Sequence, residues 1–289
     1  MKKLLFLLII CSVGIMHSTA VAAEAQKSVI PLAKAHAHND YEHERPLLDA
    51  LDHGFTSVEA DVWLENGELL VAHNKIEVKA DRTLKSLYLD PLMAIAKKNH
   101  GKIYPRYNHD FILWVDIKSE DEATYKELHR QLTNYKKMLT KFTSSGVKPG
   151  AVTVYVSGNR PYSFMKSQTV RYAAYDGRMT DLGSGESNEF MPVISDSWFK
   201  HFTWIGIGEM PKAERDKLHN IVSAAHKNGQ KVRFWGTLDF PSPMREAIWT
   251  ELLKADVDFI NTDDLEGLQH FLLKNDEHPS DPSIHWRKK

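Results

Sequence analysis

The chain has 289 residues, with 37 Lys and Arg against 38 Asp and Glu, 42% hydrophobic residues and one cysteine. So even a balance gives no general affinity for nucleic acid or for an anionic membrane surface, and a lone cysteine allows no intrachain disulfide. No Gly/Ser/Pro linker divides the sequence, so its length suits one large domain.

The N-terminus, MKKLLFLLIICSVGIMHSTAVAA, joins two lysines, an apolar core from Leu4 to about Met16 and an Ala-Val-Ala sequence ending at Ala22. This is the pattern of a secretory signal peptide over residues 1–23, too short for a stable membrane anchor. It predicts an exported protein, periplasmic or secreted. A bulky Ile10 precedes Cys11 and the apolar run continues past it, which speaks against a lipoprotein. Cleavage after Ala22 or Ala23 leaves no cysteine and a net charge of −3, with 35 basic residues against 38 acidic. No other apolar run reaches membrane-spanning length.

In chain order, Lys34 to His38 reads as a first strand with His36 and His38 on one face and Ala35 and Ala37 on the other. Pro46 opens a short helix that Gly54 stops. Ser57 to Trp63 is a second strand on which Glu59 and Asp61 share a face. Asn66-Gly67 signals a tight turn, so Glu68 to His73 returns as a hairpin arm. Asp90-Pro91 begins a helix that ends before Gly101. Phe111 to Lys118 is a third strand with Asp116 and Lys118 on one face. A capping box at Ser119 and Glu122 then starts a long helix whose apolar positions run from Leu128 to Phe142.

Val152 to Val156 and Val170 to Tyr175 give strands four and five, and Gly177 to Glu189 a polar loop long enough to be a lid or a plain insertion. Met191 to Ser195 competes with Phe202 to Gly206 for strand six. Pro211 to Gly229 encloses a helix, Lys231 to Gly236 is strand seven, Ile248 to Leu253 lies on a helix, and Val257 to Asn261 is strand eight. Eight strands alternating with helices predict an α/β fold, a single (β/α)8 TIM barrel over residues 24–274, with a polar, loose tail over 275–289.

In such a barrel the C-terminal strand ends open on one face. Glu59, Asp61 and Asp116 then crowd together and repel one another unless a cation sits among them. Oxygen ligands of this kind suit a hard divalent ion, Ca²⁺ or Mg²⁺. His36, His38 and His73 end strands beside the carboxylates, where two imidazoles can divide a phosphodiester cleavage, one taking a proton from the attacking hydroxyl and the other protonating the leaving oxygen. Lys118 adds a positive contact to the phosphate.

HAHNDY, GFTSVEADVWLENGELLVAHN, VDIK and VDFINTDD together resemble the glycerophosphodiester phosphodiesterases of the phosphatidylinositol-phospholipase-C-like barrel superfamily, and within it the branch of the altered-inheritance-of-mitochondria 6 proteins. The resemblance implies a metal-dependent phosphodiesterase with paired catalytic histidines, a metal on Glu59, Asp61 and Asp116, and a small phosphodiester or lipid headgroup as substrate. His73 matches the second histidine; His36 and His38 compete for the first. The better-known members have Arg after the first histidine, where Ala37 or Asn39 stands here, Asp after the second, here Asn74, and Glu for the third acid, here Asp116. Asn39, Trp235 on strand seven and Arg160 after strand four are candidates to line the substrate pocket.

Two other readings stay open. His-Ala-His on a first strand also suits a zinc site of the amidohydrolase or polymerase-and-histidinol-phosphatase type, although VRYAAYDG and MPVISDSW bring no further histidines. The other is an exported barrel that binds a phosphorylated ligand without turning it over.

Overall fold

A computed structural model describes residues 29–285. Eight parallel strands close on themselves: β1 (Leu32–Ala37), β2 (Phe55–Glu65), β3 (Phe111–Ile117), β4 (Val152–Gly158), β5 (Ala173–Gly177), β6 (Val193–Ser197), β7 (Lys231–Trp235) and β8 (Phe259–Thr262). Each pairs with its successor, and β8 returns to β1 to complete the ring. This is the predicted (β/α)8 barrel. Strand β2 overshoots the rim and turns at Asn66 and Gly67, both at positive φ, into an antiparallel arm, Glu68–Val71.

Alternation divides the strand residues between two cores. The outward set, such as Ala35, Val58, Val115, Val154 and Ile260, packs against the surrounding helices in one large core. The inward set builds a second core of Ile112, Trp114, Tyr155, Ala174, Val193 and Phe259 that fills the lower barrel. Polar side chains take over above that floor. Asp61 lies beside Asp116, and Asp116 beside Ser157, in the strand register, so the side-chain period of two puts these groups in one layer at the open end.

Several local expectations are corrected. The helix after β3 covers Asp121–Asn134 and is capped by the Glu120 side chain, which accepts from the amides of Glu122 and Ala123. Ser119 instead accepts from the Leu64 amide. Phe142 lies not on that helix but on a small hairpin, Lys141–Thr143 with Gly146–Lys148, and plugs the barrel floor. The segment expected as strand five splits: Val170–Arg171 joins the hairpin, and Ala173–Gly177 enters the barrel. Strand six falls at Val193–Ser197, close to the first of its two expected places. The segment after residue 275 is tied beneath β1, where Pro279 accepts from the Ala33 amide at 2.6 Å and Ser280 bonds the Pro31 carbonyl at 2.6 Å.

Candidate active site

The polar layer opens into a cavity of about 460 Å³ at the C-terminal end of the barrel, lined by His38, Glu59, Asp116, Lys118, Asp176, Arg178, Ser195, Arg233 and Trp235 among others. Glu59, Asp61 and Asp116 converge there, with one carboxylate oxygen of each within 4.8 Å of the others. Among the described residues this converging set is made of carboxylates alone, a donor type that suits a hard cation better than zinc. Gly158 makes room for it: at φ +68 a Cβ would come within 2.4 Å of Asp116 Oδ1.

Two basic groups already touch the acids. Lys118 Nζ lies 3.1 Å from Asp61 Oδ2 and 3.0 Å from Asp116 Oδ1. Arg233, on β7, donates to Glu59 and stacks over Trp114 at 4.5 Å. Burial works against the Glu59 carboxylate, but the Arg233 charge and the His36 hydrogen bond outweigh it and hold its pKa well below the usual range. Asp61 goes the other way. Its burial, followed by the charge of Glu59, pushes it up to about 6 despite Lys118. Its Oδ2 collects Tyr41 Oη at 2.6 Å and His73 Nδ1 at 3.1 Å, while its buried Oδ1 meets no donor. An unpartnered buried carboxylate oxygen inside a three-acid cluster fits a hard cation with oxygen ligands.

The histidines separate by environment. His36 is wholly buried, 2.8 Å from Ser57 Oγ through Nδ1 and 3.1 Å from Glu59 Oε2 through Nε2, with its ring against Trp114 and Phe259. Burial and the Arg233 charge lower its pKa to about 3. It stands inside the barrel wall, away from the lining of the cavity. His38 lines the cavity, and its Nδ1 lies 2.9 Å from Asp263 Oδ1 just past β8. Burial opposes its charged form, but the Asp263 hydrogen bond and the charge of Glu59 prevail and raise its pKa. His73, on the hairpin arm's far end, is 53% exposed and reaches back to Asp61 and to Tyr41 Oη at 3.2 Å.

Lys118 and Trp235 line the cavity. Asn39 does not: at φ 48 its amide oxygen turns to accept from Tyr41 Oη at 2.9 Å. Arg160 sits over the Tyr175 ring, 4.8 Å from its centroid, and donates to the Asp176 carbonyl. Sequence reasoning passed over Arg233, Asp263, Tyr41 and the Asp176–Arg178 pair. Arg233 carried a usable signal, because it shares a strand face with Trp235 and interrupts an apolar run. Asp263 lies within a quoted motif, yet nothing in the sequence tells which histidine it meets.

A family model described as an AIM6-like phosphodiesterase domain matches residues 23–176, a span that holds His36, His38, Glu59, Asp61, His73, Asp116 and Lys118. The altered inheritance of mitochondria protein 6 homolog of Arthroderma benhamiae is 30% identical over 275 residues, covering 86% of this chain and 86% of the relative. Altered inheritance of mitochondria protein 6 of Eremothecium gossypii is 30% identical over 287 residues, covering 87% and 72%. Among solved structures, a glycerophosphoryl diester phosphodiesterase from Parabacteroides distasonis shares the fold, with a TM-score of 0.50 at 11% identity over 86% of this chain and 88% of that one. The relatives' names tie them to inheritance of mitochondria, a process inside the cell, and this overturns the expectation of an exported, periplasmic or secreted protein. The leader on which that expectation rested lies outside the described residues.

Proposed function

The chain belongs to the AIM6-like phosphodiesterase family, and on that premise we propose that it hydrolyses a small phosphodiester or lipid headgroup with His38 as base and His73 as acid. The observation that carries this reading is the joining of His73, through its 3.1 Å contact with Asp61, to the Glu59, Asp61 and Asp116 cluster, two of whose acids line the cavity with His38. With Nδ1–H donated to Asp263, His38 keeps Nε2 as an acceptor, suited to take the proton of an attacking hydroxyl. His73 Nδ1 is engaged by Asp61 and Tyr41, which fixes the ring and leaves Nε2 to deliver a proton to the leaving oxygen.

Glu59, Asp61 and Asp116 would hold a divalent cation, Ca²⁺ or Mg²⁺, which when bound supplies positive charge against the phosphoryl oxygens. Lys118, on a flexible stem between Asp61 and Asp116, can turn from them to a phosphoryl oxygen. His36 takes no part in proton transfer, because it is enclosed and held neutral.

Assaying bis-p-nitrophenyl phosphate and glycerophosphoinositol with Ca²⁺, with Mg²⁺ and with EDTA tests the reading. Turnover that needs metal and falls about a thousandfold in a folded His73→Ala variant is expected, in the range for lost general acid catalysis. Full activity in that variant defeats the mechanism. Full activity in EDTA removes the metal and leaves its charge role to the basic side chains that line the cavity.

A further inference from the structure

A diester bound in this cavity presents two non-bridging phosphoryl oxygens, and a guanidinium fork matches that pair better than any other side chain. Of the lysine and two arginines that line the cavity, Lys118, Arg178 and Arg233, two offer no free fork. Arg233 is 3% exposed and spent on Glu59, on Asn261 and on the face of Trp114. Lys118, between two carboxylates, brings a single ammonium and no fork.

The third is Arg178, one residue past β5 and across the barrel mouth from β1. We propose that Arg178 is the phosphate-binding arginine of this site, held ready by Asp176 and Ser195; the inference rests on the phosphodiesterase reading and assigns a residue that reading does not use.

The bracing is specific. Asp176 is 1% exposed and accepts from Arg178 Nη1 through Oδ2. The same nitrogen donates to the Gly177 carbonyl at 3.1 Å and to Ser195 Oγ at 3.1 Å, and Ser195 donates in turn to Asp176 Oδ2 at 2.9 Å. All three contacts fall on one terminal nitrogen, and the side chain keeps 24% of its surface exposed while lining the cavity. A guanidinium anchored by one corner loses little freedom when an anion arrives. Asp176 Oδ1 finds no donor, so this buried carboxylate depends on Arg178 and keeps it in place.

The test uses Arg178→Ala and Arg178→Lys, with orthophosphate as a competitive inhibitor of bis-p-nitrophenyl phosphate turnover. Loss of one preorganised charged contact lowers kcat/KM by about 10²–10³, and the inhibition constant of orthophosphate should rise at least about tenfold. The lysine variant should recover no more than about a tenth, since it keeps the charge and loses the fork. Because Arg178→Ala strands the Asp176 carboxylate, the double variant Asp176→Asn/Arg178→Ala serves as a folded control and should show the same losses. Values within twofold of wild type, in an enzyme that turns over, overturn the inference and leave the phosphodiesterase reading standing. If the wild type cleaves no diester, that reading fails instead, and calorimetric titration with orthophosphate decides: a tenfold weaker affinity in the variant sustains Arg178, equal affinity overturns it.

Discussion

Replacing Asp61 with asparagine should make the metal-free protein more stable at pH 8 while ending its response to divalent cations. Burial and the charge of Glu59 move this carboxyl from 3.8 to about 6. A difference of about two pKa units, at 1.36 kcal/mol each, amounts to about 3 kcal/mol spent on keeping it ionised. The sign follows from proton linkage. The folded chain holds this proton more tightly than the unfolded chain, so stability falls as pH climbs from about 4 to about 6 and stays at the lower level above. A neutral asparagine escapes that loss, and Lys118 keeps its 3.0 Å contact with Asp116. For a domain of this size the gain corresponds to about 5–10 °C in Tm. Thermal unfolding in EDTA at pH 8 and at pH 4, then at pH 8 with 10 mM Ca²⁺ or Mg²⁺, reads all of it. Expected are a higher Tm for the variant at pH 8, near-equality at pH 4, and stabilisation by metal in the wild type alone. A variant less stable than wild type in EDTA at pH 8, or equally stabilised by metal, refutes the reasoning.

The two neighbouring histidines should fail in different ways. His36→Leu removes two buried hydrogen bonds and the group paired with Glu59, which costs about 2–4 kcal/mol in urea unfolding, whereas His38→Ala should stay within about 1 kcal/mol of wild type in stability and lose turnover by a factor of about 10²–10⁴. The reverse pattern would return His36 to the mechanism. Because a base works unprotonated and the pKa of His38 is raised above 6.5, kcat/KM should rise with pH along an acid limb centred above that value. Asp263→Asn should carry the limb to lower pH; an unmoved limb would separate Asp263 from His38.

The sequence exposed the barrel because its strands are short apolar runs at regular intervals, and because parallel strands buried on both faces leave that composition. It exposed the metal-type cluster because Glu59, Asp61 and Asp116 interrupt such runs with the right alternation. Two kinds of feature stayed hidden. Phe142 has helical spacing relative to Leu128 and Leu132, yet the helix ends at Asn134, and only the barrel floor, assembled from strands three, four, five, six and eight, explains where Phe142 goes. The competition between His36 and His38 was equally closed to spacing, since both face inward. Depth separates them: one meets Trp114 and Phe259 on the floor, the other meets Asp263 at the rim. Arg178 and Arg233 reach the cavity from the stretch between VDIK and VDFINTDD, where an arginine on or beside a strand reads as an ordinary surface residue until ring closure is known.

The overshoot of β2 into the arm Glu68–Val71 gives the two proposed proton carriers different footings. His38 lies one residue past β1 with its amide bonded to the Thr262 carbonyl, tied to a closed ring whose dimensions follow from strand number and shear and cannot change piecemeal. His73 follows the returning strand of the ribbon, which pairs Val71 with Val62 and bonds the Ala72 amide to the Asp61 carbonyl, so the imidazole is seated where the arm rejoins the ring, and residues added in pairs at the tip would lengthen the ribbon without moving it. The length of the ribbon can therefore drift at little cost to the scaffold beneath it.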